Sequence, residues 1–153
     1  MSARGQRIAR RARALVGTPF RAQGHDPAHG LDCVGAAAAA VGIARGRLCR
    51  DYTLRGPSLA RVERGLWELG CMRIPDHWAR AGDVIVCRAG PEQIHLAVAT
   101  ETGVVHADAG LRRVVERPGP VPWPVLGVWR LTGEEAMAGE EAMAGEEAMA
   151  GEE

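Results

Sequence analysis

Cys33 follows Asp32 and precedes Val34, Gly35 and a run of alanines, so the sequence sets one thiol at the start of a small-residue helix. The first turn of a helix carries free N–H groups and a partial positive charge. Both favour thiolate over thiol, and the expectation is a Cys33 pKa below the ordinary value of roughly 8.5. A thiolate nucleophile works with a base that a third group orients. Two histidines downstream fit those roles: His95 opens the alternating run IHLAVAT, and His106 ends the run GVVHA. Ends of neighbouring strands can bring two imidazoles within hydrogen-bond reach, with Asp108 as the reserve candidate for orienter. Such a set attacks a carbonyl carbon, and the backbone N–H of Cys33 with a neighbouring donor would meet the oxyanion.

Several elements must position these groups. Ile8, Ala12 and Leu15 recur at helical spacing among arginines, so a helix over about residues 4–16 is expected to lie on the core. Gly17, Pro19 and the glycines and prolines up to Gly30 then impose a long loop, the kind of segment that forms the wall of a binding cleft. Phe20, Arg21 and His25 in this loop are the expected substrate contacts. His25 and His29 are four apart, a metal-binding spacing on a helix, but Pro27 between them argues against the helix, and no metal is expected.

After Cys33 the run GAAAAAVG reads as a helix that permits close approach. Ser58 is the expected N-cap of another helix, with Leu59, Val62, Leu66 and Leu69 as its apolar stripe and Gly70 as its stop. From Met72 the period becomes alternating, with strands expected at 83–88, 94–100, 103–107, 111–116 and 125–131. Short turns imply antiparallel neighbours, so the expectation is an α+β domain: helices first, then a meander of about five strands.

Composition narrows the classes. A chain of 153 residues suits one domain. There is no apolar run of about twenty residues for a membrane span, and the arginine-rich N-terminus lacks the apolar core of a secretory signal, so the chain is expected in the cytoplasm as synthesised. All 19 basic residues are arginine; eight of the 19 acidic ones are glutamates after Thr132, which leaves the part before the tail with an excess of eight positive charges. That favours carboxylate-bearing ligands, while one Phe, one Tyr and four Trp give little to stack on bases, and no nucleic-acid motif is recognisable. Cys49, Cys71 and Cys87 are spaced too widely for zinc motifs and read as small core residues. Residues 1–132 form the expected domain. Residues 133–153 repeat GEEAMA, a six-residue period that puts no continuous stripe on a helix, and read as a solvated, frayed or disordered tail.

The segment GTPFRAQGHDPAHGLDCVG, followed by AGDVIVCR, IHLAVAT and VVHA, resembles the NlpC-type family of papain-like cell-wall cysteine peptidases over roughly residues 14–107. The resemblance implies a papain-like α+β fold with the nucleophile at a helix N-terminus packed on a mostly antiparallel sheet. It implies Cys33 as nucleophile, His95 as base, His106 as orienter and Asp32 as a ligand for the free amine of a peptide stem, with an N-cap as Asp32's alternative role. The implied activity is hydrolysis of amide bonds in peptidoglycan stems, D-glutamyl-diaminopimelate foremost, without cofactor. Phe20 stands where the family has tyrosine, and Val34 where it has serine. These departures keep open a catalytically weak or inactive structural component of a phage-like particle, and the shared thioester chemistry keeps open a papain-like acyltransferase or amidase. A compact domain of this type resembles those encoded with phage-tail or gene-transfer-agent structural proteins, which makes such proteins expected partners and a particle the expected route to the wall.

Overall fold

The computed structural model describes residues 2–43 and 59–133; Cys49, Ser58 and the GEEAMA repeats lie outside the described residues. Helix α1 spans Ala3–Ala14, α2 spans Cys33–Val41 and α3 spans Leu59–Glu68. A two-residue hairpin, β1 (His25–Asp26) with β2 (Gly30–Leu31), precedes α2. Six further strands follow: β3 Cys71–Ile74, β4 Val84–Gly90, β5 Gln93–Ala99, β6 Gly103–Asp108, β7 Arg113–Pro118 and β8 Val125–Leu131. They form one antiparallel sheet in the order β3-β8-β4-β5-β6-β7. This is the expected α+β fold, with helices before the sheet. No described helix is long and apolar enough to cross a membrane.

The sheet differs from a five-stranded meander in two respects. Cys71–Ile74 adds a sixth strand that alternation did not disclose, because Met72 and Arg73 are both exposed on this short edge. The last strand, β8, does not extend the meander past β7; it returns to pair with both β3 and β4. Gly127, Val128 and Trp129 are consecutively buried there, as in a strand covered on both faces.

The sheet buries one face against the helices. Ile8 and Ala12 of α1, Ala36, Ala37 and Ala40 of α2, and Val86, Ile94, Leu96, Val98 and Val105 of the sheet share that core. A smaller cluster of Ile85, Ala97, Ala99, Val104 and Val128 lies on the other face. Ser2 caps α1 by accepting from the Gly5 N–H at 2.9 Å. Arg11 crosses from α1 to the far end of α2, donating to the carbonyls of Ala40 (2.7 Å) and Val41 (3.1 Å). A cation at the negative end of a helix is favourable and satisfies carbonyls that lack intrahelical partners. Asp83, just before β4, is buried and held by Arg130 of β8 through two bonds of 2.9 Å, with the Arg80 N–H donating a third of the same length.

Candidate active site

The site forms where two strands part. β5 and β6 pair only through Val98 with Val105 and Ala99 with Val104, although both run on beyond these pairs. The Ala99 N–H donates to Asp83 O at 2.8 Å, on the β4 side. Amides alternate along a strand, so those of His95 and Ala97 also face β4, while that of Leu96 faces the gap on the β6 side. The N-terminus of α2, which packs on both β5 and β6, fills this gap: the Leu96 N–H is directed at the Cys33 sulfur and favours its ionised form. The carbonyl of the same peptide unit, His95 O, accepts from the Cys87 thiol at 3.4 Å.

The two histidines face each other across the parted strands. His95 Nε2 and His106 Nδ1 are 2.9 Å apart, and which nitrogen donates depends on the tautomers. That bond commits Nε2 of His95 and leaves Nδ1 as its other ring nitrogen. Trp123, between β7 and β8, stands edge-on to both rings, with centroid distances of 5.2 Å to His95 and 5.4 Å to His106. Burial lowers both imidazole pKa values and Asp108 lies close enough to act against that lowering, yet its Oδ1 accepts from the Leu111 N–H at 2.9 Å, so His106 rather than Asp108 is the hydrogen-bonded partner of His95.

The electrostatics oppose the expectation of a low thiol pKa. Cys33 is 3 % exposed, and burial pushes its thiol up to about 12; the Asp32 carboxylate adds to the rise, while the Leu96 and Cys33 N–H groups act against it. The helix terminus is outweighed first by burial of the sulfur and then by the charge of the capping Asp32. Burial likewise lowers His95 to about 4, with His106 contributing and Asp108 acting the other way. At neutral pH the resting pair is therefore thiol and neutral imidazole. Transfer of the proton between them creates both charges together and leaves the net charge of the site unchanged.

Asp32 is the N-cap of α2: its Oδ1 accepts from the buried Gly35 N–H at 2.8 Å, and the residue is 3 % exposed. Gly35 has a reason to be glycine, since a Cβ there would lie 2.1 Å from the Gly24 carbonyl oxygen and 3.2 Å from the His25 Cα. The hairpin thus lies directly on the first turn of α2. That contact buries His25, at 6 % exposure, so the expected substrate contact faces inward rather than lining an open wall. His29 points elsewhere, exposed and bonded to Asp26 at 3.0 Å, and the two loop histidines do not converge. Phe20 packs at the margin of the main core, as does Val34, and the Phe20 N–H donates to Arg112 O at 3.0 Å. Arg21 is exposed beside β2, its N–H donating to Leu31 O at 3.1 Å. Among the described residues no group of three or more His, Cys, Asp or Glu could hold a metal ion. Trp123 was missed by sequence reasoning; the prolines on both sides of it were the available signal of a rigid segment.

No protein-family model matches the chain, and no curated protein does. Solved structures do. The NlpC/p60 domain of the peptidoglycan hydrolase SagA is similar at 26 % identity over 74 % of this chain and 88 % of that one, with a TM-score of 0.53. NlpC1 from Trichomonas vaginalis is similar at 20 % identity over 86 % of this chain but 45 % of that one, TM-score 0.60. The P60 domain of an antigen from M. avium subspecies paratuberculosis is similar at 21 % identity over 86 % of this chain and 96 % of that domain, TM-score 0.54. The chain has the α+β fold of NlpC/p60 domains.

Proposed function

We propose that this chain is a cysteine peptidase acting on the peptide stems of bacterial peptidoglycan, with the D-glutamyl-diaminopimelate bond as its target. One observation carries the reading: the Cys33 sulfur sits at the peptide joining His95 to Leu96, and His95 is hydrogen-bonded to His106 at 2.9 Å. The likeness of the fold to a peptidoglycan hydrolase domain supplies the substrate class. In the proposed reaction His95 takes the Cys33 proton as the sulfur attacks the carbonyl carbon, and His106 stabilises the imidazolium. His95 returns the proton to the leaving amine, giving a thioester. Water, deprotonated by His95, then releases the acid and restores the thiol. Backbone N–H groups at the start of α2 are the candidate oxyanion donors.

Mass spectrometry of purified muropeptides tests this. Wild-type protein is expected to cleave stem peptides, and Cys33→Ala to leave them intact; equal products from both would remove Cys33 from the chemistry. The buried, neutral thiol favours a second reading, a structural part without turnover. Intact muropeptides with the wild type, together with Cys33 labelling by iodoacetamide no faster than that of Cys71 or Cys87, would select it. Acyl transfer to an added amine without hydrolysis would select the acyltransferase reading. Carriage to the wall by a phage-tail or gene-transfer-agent particle belongs to the same proposal on the sequence resemblance, and co-purification with tail structural proteins tests it.

A further inference from the structure

We propose that Trp123 is a positioning residue: it locks the His95–His106 pair in its hydrogen-bonded orientation and keeps water from the bond between them. Three rings meet here in a nearly orthogonal set. The planes of His95 and His106 cross at 86°, those of His95 and Trp123 at 79°, and those of His106 and Trp123 at 84°, with centroids 5.0, 5.2 and 5.4 Å apart. In such a corner each ring restricts the turning of the other two. The geometry therefore holds His95 Nε2 on His106, and in the proposed reaction Nδ1 is the nitrogen left to take the thiol proton.

The chain seats the indole from the far side of β4. Cys87 is the register partner of His95 in β5 and also of Val125 in β8, and the β4–β8 pairing shifts between Val86 and Cys87. Such an irregularity re-aims a strand. Pro122 and Pro124 fix the backbone on both sides of Trp123, and Pro124 O accepts from the Arg88 N–H at 3.0 Å. The ionisable groups around the histidine pair are Cys33 from α2, Cys87 from β4, Asp108 from β6 and Arg117 from β7. Trp123 adds no charge, so removing it changes the packing and hydration of the pair and leaves its charged neighbours in place.

The test follows the imidazoles by NMR in the full chain, comparing wild type with Trp123→Leu, Trp123→Ala and Trp123→Phe, with circular dichroism to establish folding. In a folded leucine or alanine variant the His95 titration is expected to move up from about 4 by about one pH unit or more, as water reaches the ring. Trp123→Phe, which restores an aromatic ring, is expected to bring it most of the way back. Imidazole titrations unchanged in a folded leucine or alanine variant, or a loss of thermal stability with no change in titration, would overturn the proposal. The kinetic arm rests on the peptidase reading: kcat for stem cleavage should fall about tenfold with KM nearly unchanged, and the acid limb of the pH profile should rise. A rise in KM alone would overturn the positioning role in favour of a substrate wall. If wild-type protein cleaves no stem, the peptidase reading fails, while the titrations still decide the role of Trp123.

Discussion

Burial governs the ionisation of Cys33 and His95, and its consequences for stability have opposite signs along the pH scale. His95 titrates near 4 in the folded protein against an ordinary 6.5, so the unfolded chain binds the extra proton first. The stability is present above pH 6.5 and is lost as pH falls toward 4, by roughly 1 to 3 kcal/mol. Cys33 shows the reverse. Its thiol is raised to about 12, and those of Cys71 and Cys87 to about 11, from an ordinary 9.0, so stability declines as pH rises above 9. Urea denaturation at pH 5, 7.5 and 10 should show the maximum in the middle, and Cys33→Ala should weaken the alkaline loss; a flat profile would contradict both shifts. The polar residues of the site were legible because a cysteine before a small-residue helix and two histidines in apolar alternating runs are conspicuous. The sign of the thiol shift was not, since it depends on how deeply Asp32 and Cys33 are covered, which no spacing reveals.

At the scale of elements, α2 is the part whose placement decides the site. Its first turn must admit the Gly24–His25 backbone, and Gly35→Ala would put a methyl group 2.1 Å from a carbonyl oxygen. We expect that variant to lose about 2 kcal/mol or more and to displace the thiol. Gly65, on α3, has nothing within 4 Å of an added Cβ, and Gly65→Ala should instead gain about 0.5–1 kcal/mol. Chemical denaturation of the pair measures both, and equal effects would refute the steric argument. All three described α-helices and five of the eight described strands were readable from periodicity and turn residues such as Gly42 and Gly70, both at positive φ, while the short β1–β2 hairpin lies in the stretch expected to be a loop. β3 was not, because a four-residue edge strand with exposed Met72 and Arg73 carries no alternation. The gap between β5 and β6 was equally invisible, since IHLAVAT alternates without a break through the point where pairing stops.

Across the whole molecule, the Asp83–Arg130 pair ties the turn before β4 to the strand that closes the sheet. Asp83 is 2 % exposed, so Arg130→Met would leave a buried carboxylate without its cation. The expected cost is about 3 kcal/mol or more, read by urea denaturation at pH 7, and simultaneous replacement with Asp83→Leu should recover much of it. A single loss equal to the double one would make the pair incidental. Neighbour relations of this kind lay beyond the sequence: alternation marked residues 125–131 as a strand but could not say which edge it would join.

That choice of edge sets a timetable. β8 is the last strand described and lies second in the sheet order, between β3 and β4. A chain emerging from the ribosome can lay down the β4-to-β7 hairpins in succession, yet until Val125–Leu131 arrives both β3 and β4 present open hydrogen-bonding edges. Trp123 leads into that strand, so the histidine pair gains its indole neighbour only when the strand docks. An unfinished nascent chain that stops short of this strand would carry the sulfur and both imidazoles without the assembled corner.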